Sequence, residues 1–226
     1  MVNSQCKKAD FKPFEEIGEK VYVIRWGKED IMERVYKEED GKRVYTGELK
    51  ETDICVYAVE RLYGEKPSSY MLTRLFEKSN REPSMSELKA IGEGFGMSEA
   101  QMLPWMRENM KRSISVFDKK KGKDGVENFT INGVDVWMDK ETRTGLLLRF
   151  QAEKASGKDA TVLWHNGMQF PLVVDAAIQM LYAIEVYASQ TYDKTAEHLA
   201  AVDKLESIDA LIAYDFKKGY PAQLAF

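Results

Sequence analysis

The side chains best suited to moving protons near neutral pH are two histidines, His165 and His198. His165 stands directly before Asn166-Gly167, where a turn and a solvent-facing imidazole are expected. His198 follows Glu197 on an expected helix, with Asp193 and Lys194 about one turn earlier. Carboxylates at that spacing can tune an imidazole, but a solvated helix face carries the same pattern, and that plainer role is expected. Asp135, Asp139 and Glu141 could converge at the end of a hairpin. They lack the glycine, the spacing and the final bidentate glutamate of a calcium loop, and read as the charged flank of a turn. Gly92-Glu93-Gly94-Phe95-Gly96 follows a helical stretch without phosphate-loop spacing and is expected to be a flexible joint between helices. Neither a GxSxG elbow nor an HExxH pair occurs. Catalytic, cofactor-binding and metal-ligating residues are therefore all expected to be none, with no cofactor. A hydrolase is the enzymatic alternative, and it needs a deep pocket joining His165 or His198 to a carboxylate and a nucleophile.

Basic residues gather at Lys111, Arg112, Lys119, Lys120, Lys121 and Lys123, a group able to touch RNA, DNA or an acidic protein. Its neighbours do not continue the patch, and 37 acidic residues against 33 basic ones leave a net charge of -4. A duplex-coating protein needs a surplus of lysine and arginine to release counterions, so nucleic acid is disfavoured as a partner. A cytoplasmic regulatory or nucleic-acid-binding adaptor stays open as an alternative, if this cluster forms one basic face with exposed aromatics. Cys6 and Cys55 are far apart in sequence and fit no zinc or CxxC spacing, so reduced thiols are expected. The first residues contain no apolar stretch of signal-peptide length, and no later stretch is long enough to span a bilayer. Neither secretion by that route nor membrane spanning is therefore expected, and no membrane partner.

With 44% hydrophobic and 31% charged residues the chain can bury a core, so α+β architecture is read from its periodicities. KVYVIRW, Glu33 to Tyr36 and Arg43 to Gly47 read as three short strands, with a tight turn at Asp40-Gly41. ETDICVYAVERLYG reads as a helix from the spacing of Ile54, Tyr57, Ala58, Arg61 and Leu62, with a strand as its alternative. Helices are expected through SSYMLTRLFEK, after the capping-box spacing of Ser84 and Glu87 as far as about Ile91, and after Ser98. Pro104 is expected in the first turn of the last of these, where it is tolerated. KKKGKDG marks a linker that divides residues 1–120 from 126–226. Beyond it the pattern is hairpin, helix, hairpin, with turns at Asn132-Gly133 and Asn166-Gly167. Two helices follow, from Val173 to about Ser189 and from Thr191 to Lys204, then a short helix after Ser207 and a turn or extended tail imposed by Gly219 and Pro221. A single compact domain is the alternative if Ile114 and Phe117 pack into the second half. Most aromatics of that half should be core, and a few near the C-terminus are candidates for an interface.

From FTINGVDVWMDKETRTGLLLRFQAEKASGK through Trp164-His165-Asn166-Gly167 to AEHLAAVDKLESIDALIAYDFKKGYPAQLAF, the chain resembles a C-terminal domain of unknown function found in bacteriophage and prophage tail-fibre or tail-associated proteins. The matching positions are Trp137 and Asp139, Arg143, then Tyr214, Asp215, Gly219, Tyr220 and Pro221. The resemblance covers Phe129 to Phe226. It implies a non-enzymatic structural or interaction role in or around a virion tail, as fibre component, adaptor or assembly factor, with a protein partner or a homo-oligomer. Those eight residues are the candidate structural or partner-docking positions. Trp137 should anchor the first hairpin, Asp139 should cap the following helix, Arg143 should pair with Asp139 or Asp215, and Gly219 and Pro221 should shape the exit.

Overall fold

The computed structural model describes residues 2–39, 41–79, 81–122 and 124–226. The architecture is mixed α+β, with an antiparallel sheet first and helices later. The chain forms two compact units, Met1–Met110 with Leu205–Tyr214, and Lys111–Lys204 with Asp215–Phe226. This division differs from one at residues 120 and 126.

In the first unit β1 (Val2–Lys7), β2 (Phe14–Gly18), β3 (Val21–Glu39) and β4 (Lys42–Tyr63) form an antiparallel sheet in the order β1-β4-β3-β2. Two strands are therefore far longer than expected. KVYVIRW and Glu33 to Tyr36, expected as separate strands, fall in the one strand β3, Arg43 to Gly47 lies in β4, and ETDICVYAVERLYG forms the second half of β4 rather than a helix. The β-branched and aromatic content of that segment prevails over its three-to-four spacing because Ile54–Val59 has a strand on each side, β1 and β3. The N-terminal residues, for which the sequence predicts no strand, supply β1 and β2 for the same sheet. Gly41 lies at the expected tight turn with φ +71, and Asp40 lies outside the described residues.

The sheet buries Tyr22, Ile24 and Trp26 at alternate positions. Phe76 of α1 (Ser69–Glu77) meets Trp26 edge-on at 5.2 Å, and Phe95, at the end of α2 (Met85–Gly94), does the same with Tyr22 at 5.2 Å. α2 runs past Ile91, so Gly92 and Gly94 are not a joint; they face Met102 and the Phe14 ring. α3 (Glu99–Asp118) buries Met102, Trp105, Met106 and Met110. It starts early enough to place Pro104 in its second turn, where the ring displaces a donor to the Ala100 carbonyl, and burial of the neighbouring Trp105 and Met106 offsets the loss.

The second unit contains the hairpin β5 (Phe129–Ile131) and β6 (Val134–Val136), then α4 (Lys140–Ala155), then the hairpin β7 (Ala160–His165) and β8 (Met168–Val173). Asn132-Gly133 and Asn166-Gly167 all have positive φ, as the tight hairpin turn requires. α5 (Val174–Asp203) is one helix where two were expected. No helix breaker lies between Ser189 and Thr191, and the buried stripe Tyr187, Thr191, Thr195, His198, Val202 continues at helical spacing. Phe129, Phe150, Phe170, Ile178 and Ile184 lie in its core. Ile114 is buried and Phe117 packs on Phe216 and Tyr220, so this end of α3 belongs to the second unit. α6 (Ile208–Ala213), capped by Ser207, returns to the first unit, and β9 (Leu224–Ala225) pairs parallel to β5.

Candidate interaction surfaces

Asp139 caps α4, its Oδ1 accepting from the Thr142 amide at 2.7 Å. That backbone bond, followed by the Thr142 side chain, holds its carboxyl below the ordinary aspartate range. Arg143 is buried; Nη1 donates to the Met138 carbonyl at 2.7 Å, and its guanidinium lies over Trp137 at 5.5 Å. Its ion pair is with Glu185 at 3.0 Å rather than with Asp139 or Asp215, because α4 packs along α5 and brings the two side chains together. Trp137 itself packs against the core beside Phe129. Two depressions flank this group. One, of about 260 Å³, is lined by Trp137, Asp139, Thr142, Arg149, Trp164 and His165; the other, of about 380 Å³, by Asp118, Lys121, Glu127, Asp139, Arg143 and Tyr192 among others. Burial raises the Glu127 carboxyl above its ordinary range. Among the described residues no group of three His, Cys, Asp or Glu side chains is placed to hold a metal ion.

The C-terminal motif closes the second unit on itself. Tyr214 ends α6 in the first unit, while Asp215, Gly219, Tyr220 and Pro221 lie in the second. Asp215 accepts from the Lys217 amide at 3.1 Å. The Tyr220 hydroxyl lies 2.9 Å from Thr195 Oγ1, which donates to Asp118 Oδ1 at 2.6 Å, and the Tyr220 ring meets Phe117 edge-on at 5.4 Å. His198 is buried, with Nε2 3.0 Å from the Lys218 carbonyl, rather than solvated. Gly219 has φ +84 and passes so close to Lys194 that an added Cβ would stand 2.5 Å from its Cε. Past Pro221, Gln223 Nε2 donates to the Gly125 carbonyl at 2.7 Å, and the Phe226 amide donates to Thr130 at 2.9 Å. His165 remains at its hairpin turn, with Nε2 3.1 Å from the Asn166 amide nitrogen.

Cys6 and Cys55, distant in sequence, are direct cross-strand neighbours with Sγ atoms 3.9 Å apart. Both are free, and burial, followed by the neighbouring Cys6, pushes the Cys55 thiol up. Within the Lys111 to Lys123 cluster, Lys111 pairs with Asp203 at 2.6 Å, and Lys123 lies outside the described residues.

A long outward-facing feature is formed by the far halves of β3 and β4. β2 covers β3 only along Val21–Ile24, and β1 covers β4 only as far as Ile54. From Met32↔Glu51 to Glu39↔Lys42 the β3–β4 ladder continues as a two-stranded ribbon. Its base is clamped. A bulge at Gly27 (φ +63) turns the Gly27 and Lys28 amides toward the buried Glu87 carboxylate, which accepts from each at 3.0 Å and from its own capping-box partner, the Ser84 amide, at 2.7 Å. A capping-box glutamate thus orients the ribbon as well as α2. On one ribbon face Tyr36 lies opposite Tyr45, Arg43 covers Tyr36 at 4.9 Å and Arg34 covers Tyr45 at 5.5 Å. Met32 (47% exposed) and Leu49 (56%) extend this apolar, cation-rimmed strip.

The two ribbon edges differ. Opposite Ile31, β4 carries Thr52, Asp53 and Ile54, and opposite Val35 it carries Thr46, Gly47 and Glu48, so both irregularities lie on β4. Each is fastened by a threonine hydroxyl donating to the facing carbonyl, Thr52 to Ile31 at 2.8 Å and Thr46 to Val35 at 3.0 Å. β3 stays regular from Glu29 to Glu39, and among the described residues no strand lies along its outer edge there.

No protein-family model, curated protein or solved structure matches the chain. Among the described residues no helix is long and apolar enough to cross a membrane.

Proposed function

We propose that this chain is a non-enzymatic phage or prophage structural or interaction protein, a tail-associated fibre component, adaptor or assembly factor, that meets its protein partner through the β3–β4 ribbon. The observation that carries the reading is the ribbon itself, which leaves the sheet with an ordered base and exposes Met32, Tyr36, Tyr45 and Leu49. Folded chains seldom present a long strand pair with apolar side chains facing water unless something covers them. The likeness of Trp137, Asp139, Arg143, Tyr214, Asp215, Gly219, Tyr220 and Pro221 to positions of a phage tail-associated domain supports the setting.

The reading is tested in the phage, or the induced lysogen, that encodes the chain. Tails and tail-assembly intermediates purified by density gradient should contain it by mass spectrometry, and replacing Met32–Glu51 by a two-residue turn should remove it from them while the shortened chain stays folded by circular dichroism. Absence of the intact chain from both fractions, or full retention of the shortened one, overturns it.

A further inference from the structure

The ribbon's regular edge has a sequence that complements itself. The carbonyls of Ile31 and Val35 face β4, where Thr52 and Thr46 meet them. Backbone groups alternate sides along a strand, so Met32, Arg34, Tyr36 and Glu38 direct theirs to the outer edge. A second strand can therefore add there only in registers that pair these residues with one another. Antiparallel addition of a second copy about a two-fold axis at Val35 satisfies this: Arg34 takes Tyr36 of the copy as a hydrogen-bonded pair, and Met32 takes Glu38. The alternate, closer pairs are then Val35 with Val35 and Glu33 with Lys37, twice over. From Ile31 to Glu39 no like charges face each other in this register. Over the same stretch, moving the axis to Arg34 sets Arg34 on Arg34, and moving it to Tyr36 sets Glu33 on Glu39.

We propose that the outer edge of β3 pairs with the same edge of a second copy, centred on Val35, joining two ribbons into one four-stranded sheet. Lys37 exchanges its same-strand partner, Glu39 at 2.7 Å, for Glu33 of the copy, and Arg34, which already covers Tyr45, also reaches Tyr36 of the copy. The bulges on β4 disfavour strand addition on the other edge, so the assembly closes at two rather than growing into a fibre. The inference rests on the ribbon being a contact surface and adds its occupant and register.

The test uses the full chain and its charge variants, by size-exclusion chromatography with light scattering across a broad concentration range. The natural chain should give about twice the 25.9 kDa chain mass. Glu33→Lys sets lysine against lysine, and Lys37→Glu sets glutamate against glutamate, so each alone should fall to the single-chain mass. Mixed together they should recover the doubled mass, because every cross-pair is then opposite in charge; the double exchange E33K/K37E should also dimerise. A natural chain that is monomeric throughout overturns the proposal, as does a dimer indifferent to both single changes. Either result leaves detection of the chain in tail particles to decide the wider reading.

Discussion

The ribbon and the C-terminal tail are both rich in aromatic and charged side chains, and they use them in opposite directions. In the tail, Tyr220 packs on Phe117 and approaches Thr195 and His198, Gly219 passes against Lys194, and Phe226 is tied to Thr130 and Asn132. Every one of these contacts lies within the second unit. In the ribbon, Tyr36 and Tyr45 pack on each other and under Arg43 and Arg34 of the facing strand, and with Leu49 they remain open to water. An aromatic motif that is conspicuous in sequence can thus be the fastening of a fold, while exposed aromatics lie in a segment marked in sequence only by its Asp40-Gly41 turn.

The comparison is sharpest at the ribbon base, where folding and display meet. Glu87→Ala removes the acceptor of one buried amide, Gly27, and two part-buried ones, Lys28 and Ser84, and should cost about 3–4 kcal/mol in denaturant unfolding, since a buried amide left unpaired costs about 1–3 kcal/mol and each part-buried bond about 1 kcal/mol. A variant as stable as the natural chain would mean that the ribbon is not held in the way described. Gly27→Val should cost about 3 kcal/mol, from left-handed strain and overpacking, because an added Cβ falls 2.5 Å from the Arg81 Cβ.

Tyr220→Phe should lose about 1 kcal/mol, the worth of one hydroxyl hydrogen bond, and leave association unchanged. Weakened association with normal stability would instead make the tail a docking surface. Glu127→Gln should have the smallest effect and should depend on pH. Burial raises the Glu127 carboxyl, so its favourable neutral form is complete below the ordinary glutamate range and is lost as pH rises through the raised value. The variant should melt slightly higher than the natural chain at neutral pH and together with it in acid; a gap that widened in acid would reverse the assignment.

Much of the second unit was legible in the sequence because its signals are local. Asn132-Gly133 and Asn166-Gly167 fix two turns by backbone preference, Asp139 caps by reaching three residues forward, and Ser84 and Glu87 form a box within one turn. What was not legible depends on pairing at a distance. Residues 51–63 carry a plausible helical stripe, and only β1 and β3 beside them make them a strand. The partner of Arg143 is 42 residues away on α5, and Cys6 and Cys55 meet through β-register alone. The ribbon was hidden for a related reason: its two β4 bulges break the alternation that marks a long strand, so one strand was read as fragments. Glu87 was recognised as a cap, but nothing in its local sequence shows that it also reaches Gly27 and Lys28.

The most direct test of the contrast is residue-resolved hydrogen exchange on the full chain, dilute and then in its assembled state, as the homodimer or in a purified tail particle. Assembly should slow the outward amides of Met32, Arg34, Tyr36 and Glu38, while the Phe226 and Asn132 amides, already bonded within the second unit, stay slow in both states. Unchanged exchange along the ribbon, with new protection between residues 214 and 221, would contradict the account and move the contact surface to the tail.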